Sequence, residues 1–126
     1  MKIILSNNCN DPIYMQIKNQ IKDQIMTGEI KEDFILPSIR SLAKELGISV
    51  ITTTRAYNDL EKEGFIKSIQ GKGSIVLSRD NEMMIEQYLL KIEEGFSKAI
   101  ENAKYAGINN EELIEILKNL LYGDDK

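Results

Sequence analysis

Residues 36–57 read LPSIRSLAKELGISVITTTRAY, two short helical segments hinged on Gly47-Ile48-Ser49. In the first, Ile39, Leu42, Ala43 and Leu46 recur at the i, i+3, i+4, i+7 spacing of one buried face; Ser38 stands where an N-cap belongs, and Gly47 ends the helix as a left-handed C-cap. Ser49 caps the second, in which Thr53, Ala56, Tyr57 and Leu60 repeat that spacing until a stop near Gly64. Two short helices joined by a tight turn containing glycine form a helix-turn-helix pattern, which plain helical hairpins share.

The flanking segments narrow the choice. Downstream, residues 65–69 and 74–77 are β-prone runs separated by Gly71-Lys72-Gly73, a hairpin directly after the helix pair. Upstream, Asp11 as N-cap and Pro12 at the first helical position, with Tyr14, Ile17, Ile21 and Ile25 at helical spacing, predict a helix over about 12–27, stopped at Gly28. A short apolar strand at Ile35 and Leu36 follows, closed off by Pro37. Helix, strand, helix, turn, helix, hairpin is the order of a winged helix.

Thr52, Thr53 and Thr54 open the third helix although branched β-carbons cost a few tenths of a kcal/mol each there. With Thr53, Ala56, Tyr57 and Leu60 facing inward, Val50, Ile51, Thr52, Thr54 and Arg55 form the outward surface of the first turn. Short side chains suit close approach to a major groove: a hydroxyl bonds a phosphate or base edge, and a methyl meets the thymine methyl. Thr53 is read as structural, bonding back to a carbonyl. Arg40, on the outer side of the second helix, and Lys72, between two glycines at the hairpin tip, add cations placed to reach phosphate.

Beyond residue 80 the character changes. Ile85, Tyr88, Leu89, Ile92, Phe96, Ala99, Ile100 and Ala103 trace a stripe on a helix of about 25 residues, ~37 Å long, ended by Gly107. Asn109 or Asn110 caps a last helix bearing Leu113, Ile114, Ile116, Leu117, Leu120 and Leu121. Two such helices have too little of their own to cover this surface, so the expected cover is the same pair from a second chain. The dimerisation set is Ile85, Tyr88, Leu89, Ile92, Phe96, Ile100, Leu113, Leu117, Leu120 and Leu121.

Charge divides along the same line. Residues 1–78 carry ten Lys/Arg and nine Asp/Glu, whereas residues 79–126 carry six against eleven. The net charge of −4 lowers non-specific attraction to polyanions while leaving a local basic face free to act. The sequence has one cysteine, Cys9, and no histidine, so imidazole or thiolate metal clusters and Ser/His or Cys/His nucleophilic pairs are excluded. Cys9 is read as a plain N-terminal thiol. Gly71-Lys72-Gly73-Ser74 lacks the spacing and the Ser or Thr after lysine of a phosphate-binding loop, and Glu61, Glu63, Glu93, Glu94, Glu111 and Glu112 read as solvated helix exteriors. No enzyme, cofactor or metal is expected. The opening MKIILSNN is too short for a signal core and no run approaches ~18 apolar residues, so the expected location is cytoplasmic, with no membrane partner.

With these residues placed, the chain resembles the GntR family of bacterial transcription regulators through PIYMQIKNQI (12–21), LPSIRSLAKELGIS (36–49), TTTRAYNDLEKEGFI (52–66) and GKGSIV (71–76), and its short helical tail is similar to the YtrA-type subgroup. The resemblance implies a mainly α (α+β) fold, with a winged helix-turn-helix over residues 1–78 and a two-helix dimerisation segment over 79–126. It also implies a homodimeric repressor, of a transporter operon by analogy, on double-stranded DNA with an inverted-repeat operator. The candidate DNA-binding set is Ser38, Arg40, Ser49, Val50, Ile51, Thr52, Thr54, Arg55, Gly71 and Lys72. The chain departs from the family at Val50 and Ile51, where many members carry arginine and asparagine, at Thr54, often basic, and at Glu32-Asp33, which replace a usual Pro-Gly. The rival reading is a winged helix turned protein-interaction module, favoured by the acidic tail and the lone arginine on the third helix. The 46 residues after position 80 are too few for a ligand domain within one chain, which leaves a dimer seam as the room for any small-molecule effector.

Overall fold

A repeat of residue type every four positions along the first helix, α1 (Ile13–Met26), decides how the N-terminal part packs. Ile17, Ile21 and Ile25 form one row and are fully buried. Gln16, Gln20 and Gln24 form the next. Each carboxamide accepts from the N–H and donates to the C=O of one residue in an extended arm, Gln16 with Ser6, Gln20 with Ile4 and Gln24 with Lys2, at 2.6–3.2 Å. The match is geometric: four helical residues advance ~6.0 Å and two extended residues ~6.6 Å, so each rung meets the next alternate residue of the arm. Ile3 and Leu5, between the rungs, turn the other way and are half-buried. Asp11 is not the N-cap expected of it. Pro12 occupies that position without a side-chain cap, and the Asp11 carbonyl instead accepts from Gln16 Nε2 at 2.9 Å.

The computed structural model describes residues 1–123, and the remaining elements follow the expected order: α2 (Ile39–Leu46), α3 (Val50–Lys62), β1 (Ile66–Ile69), β2 (Gly73–Val76), α4 (Glu82–Ala106) and α5 (Asn110–Tyr122). This is a mainly α winged helix-turn-helix followed by two helices. Ser38 and Ser49 cap α2 and α3 by accepting from Ser41 N and Thr52 N, and between them Gly47 takes the left-handed conformation at φ +68° that lets the chain turn so sharply. Tyr57, on the inner face of α3, donates its hydroxyl to the Pro37 carbonyl at 2.6 Å and so ties α3 to the start of α2.

The wing is an antiparallel pair running from Ile66↔Val76 to Ile69↔Gly73. The expected strand at Ile35 and Leu36 is reduced to a single bridge, Ile35↔Ile75, because Pro37 ends the pairing. Its approach is set by Asp33, which adopts φ +73°, a left-handed conformation that aspartate tolerates better than most side chains. The core gathers Leu36, Leu42, Ala56, Leu60, Phe65 and Val76.

Asn81 binds the wing's exit to the end of α3. Its amide donates to Gly64 O at 2.8 Å and Ser78 O at 2.6 Å, and its oxygen caps α4 by accepting from Met84 N at 2.9 Å. Gly64 has to be glycine: its φ is +87°, and a Cβ there would lie 2.7 Å from Met84 N. Met84 is buried and its turn of α4 belongs to the compact unit Met1–Gln87.

A second compact unit begins at Tyr88. Asn109 and Glu112 form a reciprocal capping box at the start of α5. Ala103 is buried, while Phe96, Ala99 and Ile100 of α4 with Leu113, Leu117 and Leu120 of α5 line a trough with almost no polar surface. Phe96 is 51% and Leu120 78% exposed in the single chain, and Leu89, Ile92, Leu117 and Leu121 are exposed beside them, with Tyr88 and Leu113 partly so. Ile85, in the first unit, is exposed as well.

Candidate nucleic-acid interface

The three threonines of α3 have three different environments. Thr53 is 0% exposed and its hydroxyl bonds back to the Ser49 carbonyl at 3.1 Å, the structural role read from its position. Thr52 is half-exposed. The Ser49 hydroxyl accepts from Thr52 N–H and donates to Thr52 Oγ1, both at 2.9 Å, which leaves the Thr52 O–H hydrogen free to donate outward. Thr54 is half-exposed and its hydroxyl makes no hydrogen bond among the described residues.

Ile51, one turn before Arg55, is 82% exposed, and Val50 and Arg55 are exposed on the same end of the helix. A branched aliphatic this bare, at the start of a helix whose opposite face is fully packed, has no folding role. The outward set expected from the spacing therefore stands at the surface together.

Arg40 and Lys72 are brought together elsewhere. With Ser38, Ile39, Gly73 and Ser74 they line an open groove between the start of α2 and the wing tip, which also takes in Ile35 and Leu36. The turn from Val50 to Arg55 does not line this groove. Gly71 sits at the exposed tip, where Lys72 N closes a turn on Ile69 O at 2.9 Å. At the other end of the hairpin's partner helix, Glu61 accepts from Ser68 N and Ser68 Oγ at 3.3 and 3.1 Å, so this carboxylate steadies the wing instead of facing only water.

Two residues of α1 border the site and were not singled out by their sequence positions. Tyr14, one of the residues at helical spacing, is half-buried, and the guanidinium of Arg55 lies 3.8 Å from its ring centroid. One turn on, Lys18 reaches Glu63 Oε2 at 3.0 Å and Asp59 Oδ2 at 4.0 Å, so Glu63 too is more than a solvated exterior group. The signal lay in register: Tyr14 and Lys18 are four apart, as are Arg55, Asp59 and Glu63, and two such rows meet where helices pack side by side. Cys9 is exposed and its sulfur accepts from Asp11 N at 3.5 Å. Among the described residues no helix is long and apolar enough to cross a membrane.

Residues 13–76 match the model of the family described as bacterial regulatory proteins, gntR family. The chain is 34% identical over 109 residues to the HTH-type transcriptional repressor YtrA of Bacillus subtilis (strain 168), covering 86% of this chain and 84% of that one. In structure it is similar to YtrA from Sulfolobus acidocaldarius, a GntR-family transcription factor, with TM-score 0.64 and 29% identity over the whole of both chains. It is also similar to AraR(DBD) in complex with operator ORX1, with TM-score 0.52 and 29% identity over 60% of this chain and 95% of that one.

Proposed function

The chain belongs to the gntR family of bacterial regulatory proteins, and from that premise we propose that it is a sequence-specific DNA-binding transcriptional repressor that acts as a homodimer on an inverted-repeat operator. The family is one of regulators rather than enzymes. Residues 1–78 bind DNA and residues 79–126 pair the chains.

The carrying observation is the bare N-terminal turn of α3. Ile51 stands 82% exposed on the same turn as a Thr52 hydroxyl oriented by Ser49 and one turn before Arg55, while the other side of the helix is locked into the core. Such a turn enters a major groove with short side chains first: Ile51 and the threonine methyls meet thymine methyls, and Thr52 and Arg55 supply donors for acceptors on bases or phosphates. Arg40 and Lys72, which line one groove together, bind the phosphate backbone. The AraR complex with operator DNA supports the same use of the fold. The exposed apolar trough of α4 and α5 supports pairing, which sets the half-sites about 34 Å apart or less on one face of the duplex.

Selection of random duplexes by the purified full chain tests the reading. A palindromic motif is expected, bound with steep salt dependence. Thr52→Ala and Arg55→Ala relax sequence choice, whereas Lys72→Ala weakens binding to all sequences alike. No enrichment at low salt sinks the proposal in favour of a protein-interaction module.

A further inference from the structure

We propose that Tyr14 is a positioning residue for operator recognition: its ring holds the Arg55 guanidinium in one direction at the reading face before DNA arrives. The inference rests on the reading of α3 given above.

An exposed arginine carries about 2 kcal/mol of side-chain rotamer entropy, which a contact with DNA has to overcome. Here the cation sits 3.8 Å from the Tyr14 centroid, in stacking contact. Stacking engages only the flat face of the group. The five N–H donors, which lie in its plane, stay available for paired acceptors such as the O6 and N7 of guanine or two phosphate oxygens.

The surroundings favour the same pose. Asp59, four residues after Arg55, is placed to draw the guanidinium down the helix into an ion pair. Lys18 instead bridges Asp59 at 4.0 Å and Glu63 at 3.0 Å, and Arg55 has no ion pair among the described residues. Tyr14 and Lys18 are one turn apart on α1. One row of that helix therefore supports the arginine and diverts its competitor, although neither residue lies on α3 itself.

The test combines a spectroscopic and a binding measurement on the full-length chain. In the free protein, the Arg55 side-chain protons are expected to show the upfield ring-current shift of a group over an aromatic face, kept in Tyr14→Phe and lost in Tyr14→Leu. On a selected operator, Tyr14→Phe binds like the parent, Tyr14→Leu about three- to fivefold more weakly, and Tyr14→Leu adds nothing further in an Arg55→Ala background. A purely structural Tyr14 weakens binding equally in both backgrounds and overturns the inference, as does the absence of the ring-current shift in the parent. An Arg55→Ala protein that holds the operator like the parent removes the reading of the α3 face, and the inference with it.

Discussion

Tyr57→Phe removes one oxygen and probes how the two halves of the helix-turn-helix are tied. The Tyr57 hydroxyl donates to the Pro37 carbonyl at 2.6 Å, from a side chain only 3% exposed. Deleting the donor leaves that carbonyl without its partner, a cost of about 1–2 kcal/mol for a partly buried group. In a unit of this size the melting temperature is expected to fall by roughly 5–10 °C. The same change alters the pH dependence. Burial lifts the Tyr57 phenol well above its ordinary value of about 10. Below pH ~10 the phenol is protonated in both states and its contribution is fully present. Above pH ~10 the unfolded chain loses this proton while the native state retains it, so stability falls as pH rises, by up to ~1.4 kcal/mol per unit. Denaturant melts of parent and variant at fixed concentration, from pH 7 to 11, isolate this dependence from that of the lysines, because only the difference between the two proteins is read. The parent should lose more stability than Tyr57→Phe above pH 10. Melting temperatures within a degree of each other, together with parallel alkaline profiles, would refute the reasoning.

Gly64→Ala places a Cβ against Met84 N in a left-handed backbone and is expected to cost more than ~2 kcal/mol, read by chemical denaturation; a variant as stable as the parent would show that the turn relaxes freely. Phe96→Asp, in the apolar trough, is expected to abolish the proposed dimer, read by sedimentation of parent and variant, while leaving the far-ultraviolet helix signal intact; equal sedimentation coefficients would remove the trough as the proposed seam. Gln20→Ala removes both bonds to Ile4, and the Ile4 amide is expected to exchange with solvent markedly faster, with less than ~1 kcal/mol lost globally; unaltered exchange would mean that the Gln16 and Gln24 rungs, with Ile3 and Leu5, hold the arm without the middle one.

The helix-turn-helix was legible because its signals are local: Ser38, Gly47 and Ser49 carry cap chemistry that needs no distant partner, and the apolar spacing of α2 and α3 names their inner faces. By subtraction it also names the outer ones, which is why Ile51 and Arg55 were found on the surface where the pattern put them. Periodicity reports which face is apolar, not which polar group meets which. It therefore listed Tyr14 with the isoleucines of α1, gave no hint that Arg55 lies over it, and left Lys18 as one more cation. Asp11 illustrates a competition that residue type cannot resolve. It is a good capping residue, but the Gln16 amide claims its carbonyl and the helix starts after Pro12. Asp33 shows the reverse: with no glycine to announce it, a left-handed turn stands on a side chain that tolerates it.

The glutamine rungs along α1 behave as a vernier. The two scales differ by ~0.6 Å per division, so over the two divisions that separate three rungs the misfit stays near ~1 Å, within the reach of a rotating carboxamide, and a third division would bring it near ~2 Å, beyond hydrogen-bonding range. The arm turns at residues 7–8, just past Ser6, and leads into α1. A one-residue insertion between positions 2 and 6 turns Ile3 and Leu5 outward, whereas a two-residue insertion slides the scale by one notch and restores its alignment.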